Sequence, residues 1–103
     1  MTKTEFTSTL TTLHNDNNKK GAILFLSTIT KLSIDLSSKL LDSLWLCSSP
    51  DSFGENIYEL LDSSANSDEV DFNPKLKTNG CSIYIMYLDE HTAAFALYKI
   101  AKM

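Results

Sequence analysis

The chain has 103 residues, 43% of them hydrophobic, and a formal charge of −4 with no arginine at all. That length suits one domain spanning residues 1–103 with its own core and little stability to spare. An acidic chain without arginine lacks the residue best fitted to phosphates and base edges, so neither nucleic acid nor a membrane surface is an expected partner.

No run reaches 18 uninterrupted apolar residues, and the opening MTKTEFTSTLTTLHND has no apolar stretch behind a basic start. Neither a spanning helix nor a signal peptide is therefore expected. Cys47 and Cys81 are the only cysteines and have no tight spacing. The expectation is a reduced, cytoplasmic protein with two thiols.

In chain order, Phe6, Leu10 and Leu13 lie on one face of a helix over Thr2–His14, although the many threonines there lose rotamer freedom in a helix. Asn15–Gly21 is polar and ends in glycine, which predicts a loop. Ala22–Cys47 then reads as one long central helix. At 100° per residue, Ala22, Phe25, Leu26, Ile29, Leu32, Leu36, Leu40, Leu44 and Cys47 form one apolar stripe, and Ile23, Ile34, Leu41 and Trp45 a second. Lys31, Asp35, Lys39 and Asp42 take the remaining face, with Asp35 placed to pair with Lys39. A rival reading makes Ala22–Thr30 a buried strand, because its β-branched content is high.

Ser48-Ser49-Pro50 ends that element. Ser52-Phe53-Gly54-Glu55 fits the S-x-x-E capping box and opens a helix that buries Phe53, Ile57, Leu60 and Leu61 and closes near Ser63. Ser64–Asp71 is a polar, acidic loop. Strand character follows over Val70–Lys77, with Pro74 marking an edge, and over the apolar Cys81–Leu88, with Asn79-Gly80 between them as a hairpin turn. Asp89–Thr92 reads as a turn into Ala93–Ala101. That last segment is expected to be a third strand pairing with Cys81–Leu88, although its four alanines and terminal charges also suit a helix. The expected fold is α+β: three N-terminal helices, one long and central, followed by a small antiparallel β-meander.

Chemistry is sparse. His14, His91, Cys47 and Cys81 show no metal-ligand spacing, the three glycines are isolated, and Asp89-Glu90-His91 reads as a solvated turn. No cofactor, metal or enzymatic activity is expected. Asp68-Glu69-Val70-Asp71 matches a caspase cleavage tetrapeptide by chance composition.

Charge is the one feature above this background. Asp51, Glu55, Glu59 and Asp62 fall within an arc of about 80°, with Tyr58 at its border, and Asp68, Glu69 and Asp71 follow. Asp51–Asp71 thus holds seven of the thirteen acids and no lysine. Acids near a helix N-terminus explain Asp51 and Glu55, but not Glu59, Asp62 or the acids beyond. These eight residues are the expected contact surface for a basic protein partner, such as a toxin or nuclease, as for immunity proteins, antitoxins and phage inhibitors. Two alternatives stand beside it. One is a homodimer formed through the second apolar face of Cys81–Leu88. The other is a small-molecule site between helices and meander involving Tyr84, Tyr87, His91 and the thiols.

Overall fold

In the computed structural model, residues 1–46, 51–66 and 89–102 are described. They form five helices: α1 (Lys3–Asn15), α2 (Lys19–Thr30), α3 (Ile34–Trp45), α4 (Phe53–Asn66) and α5 (Glu90–Lys102). Among the described residues there is no strand, so the expected α+β class gives way to a helical arrangement. The strand and hairpin expectations over 70–88, and the acidic residues Asp68, Glu69 and Asp71, lie outside the described residues.

α1 forms where periodicity places it, and its threonines are used rather than merely tolerated. Thr2 caps the helix: its hydroxyl accepts from the Glu5 N–H at 3.1 Å, and Glu5 Oε1 accepts from the Thr2 N–H at 3.1 Å. This closes a reciprocal capping box. The donors on Thr2, its backbone N–H first, hold the Glu5 carboxyl below its ordinary value by favouring the charged form. The Thr7 and Thr9 hydroxyls donate back to the carbonyls of Thr4 and Glu5, which satisfies them inside the helix.

The polar connection after α1 is shorter than expected. Asn18 caps α2, its side chain accepting from Gly21 N–H at 3.0 Å, so Lys19, Lys20 and Gly21 are the first turn of a helix.

The single long helix is also corrected. It breaks at Lys31, which adopts the left-handed conformation with φ 64° and closes α2. Thr30 prepares the break, since its hydroxyl donates to Leu26 O at 2.6 Å and receives the Leu32 N–H at 3.3 Å. Ser33 then caps α3 by accepting from Leu36 N–H. The helix can therefore turn back, and α2 packs against α3. Lys19 pairs with Asp42 across that hairpin, and Asp35–Lys39 forms the expected i,i+4 pair at 3.2 Å. Most of the first apolar stripe is buried, but Ile34 of the second is 61% exposed because the break rotates α3 away from the register of one continuous helix.

α4 starts at Phe53, directly after Ser52, as the sequence predicts, and runs to Asn66 rather than stopping near Ser63. The expected third strand is helix α5. Asp89 Oδ2 accepts from the Thr92 hydroxyl and N–H, and Lys99 and Lys102 sit in the last turn. Alanine propensity and charges matched to the helix dipole prevail over the strand expectation. The core joins all five helices through Phe6, Leu10, Leu26, Leu40, Leu44, Phe53, Ile57, Leu61, Ala93, Ala96 and Ile100, among others. α4 is flanked by α1 and α5, its most extensive neighbours.

Candidate functional site

The acidic helix α4 is seated on α1 by an unusually close approach. A Cβ placed on Gly54 would lie 1.9 Å from the Thr7 carbonyl oxygen, so only glycine fits there. Its N–H donates to Thr11 Oγ1 at 3.0 Å, tying the first turn of α4 to the middle of α1. Beside that contact lies an open groove of about 230 Å³, lined by Thr7, Ser8, Thr11 and Thr12 from α1 and by Asp51 and Glu55. Hydroxyls thus form one wall and carboxylates the other.

Asp51 and Glu55 are exposed, while Glu59 and Asp62 are half-buried farther along the same outward side. Glu55 and Asp62 also engage groups within the fold. Tyr58 borders the arc but turns partly inward. Its ring meets Phe6 edge-on at 6.1 Å, and the Lys3 ammonium stands 4.8 Å from its centroid. Four of the five described members of the expected surface therefore share α4, with Asp51 in the turn just before it and the aromatic ring held in place from α1.

His14 has a structural role that its sequence position did not reveal. Its ring stacks on Phe53 at 4.4 Å and meets Trp45 edge-on at 4.8 Å, while Trp45 and Phe53 are themselves edge-on at 5.1 Å. Nε2 lies 2.8 Å from the Trp45 carbonyl oxygen and donates to it, so α1 satisfies an orphan carbonyl at the end of α3. Nδ1 is buried and has no hydrogen-bond partner among the described residues. His91 is exposed in the first turn of α5, well apart in role from this cluster. Among the described residues, no three His, Cys, Asp or Glu side chains are grouped to hold a metal ion. Cys47 and Cys81 lie outside them.

A second surface was missed in the sequence. Phe95 and Tyr98 are 49% and 54% exposed on the outer side of α5. Lys99 lies 5.2 Å from the Phe95 ring centroid and Lys102 5.4 Å from that of Tyr98. Each lysine is four residues beyond its ring, a spacing legible once the segment is read as a helix.

No family model matches this sequence, and neither a curated protein nor a solved structure matches it. Among the described residues, no helix is long and apolar enough to cross a membrane.

Proposed function

We propose that this chain is a small acidic protein-binding module that docks on, and neutralises, a basic protein through the outward side of α4. The observation that carries this reading is the alignment of Glu55, Glu59 and Asp62 along one side of α4, with Asp51 in the turn just before it, while the opposite side is fully committed to the core. Acids at i, i+4 repel one another along a helix, a cost that a basic partner would relieve. A field of one sign also steers an oppositely charged partner and speeds its association. Tyr58, already ordered by Phe6 and Lys3, supplies an aromatic group at the rim without a large entropy loss on binding. Asp68, Glu69 and Asp71 extend the acidic surface in this reading.

Such a module works by binding rather than by catalysis, and we assign it to the cytoplasm, where an immunity protein, antitoxin or phage inhibitor would meet its target. The test is capture from native lysate on the immobilised chain, with elution by salt, comparing the parent with E55K/E59K. The reading expects basic proteins held by the parent and lost from the variant. The same proteins retained equally by both would overturn it.

A further inference from the structure

The outer side of α5 is the chemical complement of the outer side of α4. At 100° per residue, His91, Phe95, Tyr98 and Lys102 form one line along α5, with Lys99 at its edge. Ala93, Ala96 and Ile100 occupy the opposite, buried side. The two exposed rings each lie beneath a lysine of the same helix, a contact that is weak where water reaches it. Rings flanked by cations are suited to a surface that offers carboxylates and apolar stems together. α4 offers Glu55, Glu59 and Asp62 in one row, and Asp51 stands in the turn just before it.

We propose that the outer face of α5 docks on the acidic face of α4 in a second copy of this chain. The inference rests on the functional reading of α4 as a docking surface and names an occupant for it. The argument for a second copy is charge complementarity combined with placement. α4 and α5 pack directly against each other. A two-fold axis lying in the interface, along the seam between the two helices, sets each α5 over the other copy's α4 and each α4 under the other copy's α5. Both contacts form at once, as an isologous interface requires. Lys99 and Lys102 exchange their rings for carboxylates, and Phe95 and Tyr98 become the buried anchors, the role aromatic residues commonly take at interface centres. A basic partner protein would then compete with self-association for one acidic face.

Sedimentation velocity over a concentration series, at low and at physiological salt, tests this. The parent is expected to self-associate and to weaken about tenfold or more as salt rises. Separately, K99E/K102E and D51K/E59K each weaken association about tenfold or more. An equimolar mixture of the two regains it, because each variant now carries the complement of the other. Far-UV circular dichroism checks that both remain helical. K102E alone, in the exposed last turn, moves association in the same direction by a smaller factor. A parent that stays monomeric, a dimer indifferent to both reversals, or a mixture no tighter than its components overturns the inference. Acid-dependent capture of basic proteins by a monomeric parent overturns only the inference and leaves the functional reading standing. Restored pairing in the mixture without acid-dependent capture upholds the inference and removes the foreign partner.

Discussion

On its inner side α4 meets α1 at backbone distance: Gly54 leaves no room for a Cβ against the Thr7 carbonyl, and Phe53, Ile57 and Leu61 are fully buried. On its outer side the same helix carries Glu55, with Asp51 in the turn just before it, beside an open, hydroxyl-lined groove. Gly54 is dictated by sterics, whereas Asp51, three residues earlier, is exposed. The inner side therefore reports on folding and the outer side on what the fold presents. Substitutions on the two sides should separate accordingly.

The largest effect is expected at the inner side. G54V forces α4 away from α1, removes room for the Thr11 bond and should cost more than about 4 kcal/mol, enough to unfold much of the chain. Urea denaturation measures it, and a loss under 1 kcal/mol would mean the two helices do not meet at Gly54.

Next comes the aromatic cluster. H14A removes the stacked ring and leaves the Trp45 carbonyl without its donor, for a loss of about 2–3 kcal/mol. H14F keeps the stack and should recover most of that loss. Equal destabilisation by both would shift the weight from packing to the hydrogen bond.

A smaller effect is expected at the start of α1. T2A breaks the capping box and costs about 1 kcal/mol. Acid acts on the same box with a defined sign. The Glu5 carboxyl is held below its unfolded value, so its contribution is complete above that value and fades as pH falls through the depressed one. The acid limb of the stability–pH curve should therefore flatten in E5Q relative to the parent, because T2A keeps the backbone N–H that contributes most to holding the carboxylate. An unchanged limb would remove Glu5 from the account.

How much of this was legible can be argued element by element. α1 and the start of α4 follow from periodicity and from Ser52, because their apolar spacing matches a single helix face. The break between α2 and α3 was hidden because a lysine, not a glycine or asparagine, takes the positive φ, and the cap, Ser33, sits inside an apolar pattern that runs on across the break. α5 was misread because Cys81–Leu88 invited a strand partner, which gave pairing logic more weight than four alanines and well-placed terminal charges. The acidic arc was legible because three of its four acids belong to one helix and need only the 100° rule. The groove beside it was not, since its threonine wall is brought there by the Gly54 contact between elements far apart in the chain. His14 likewise acquired its role only through tertiary packing against Trp45 and Phe53.

The account's central claim is that the outer side of α4 serves binding and contributes little to folding. The most direct measurement pairs two readouts on D51K/E59K, which leaves the Ser52–Glu55 box intact: urea unfolding and salt-eluted capture of basic proteins. The account predicts stability within about 1 kcal/mol of the parent, as for exposed substitutions generally, together with loss of capture. A variant as stable as the parent that captures the same proteins equally well would contradict it.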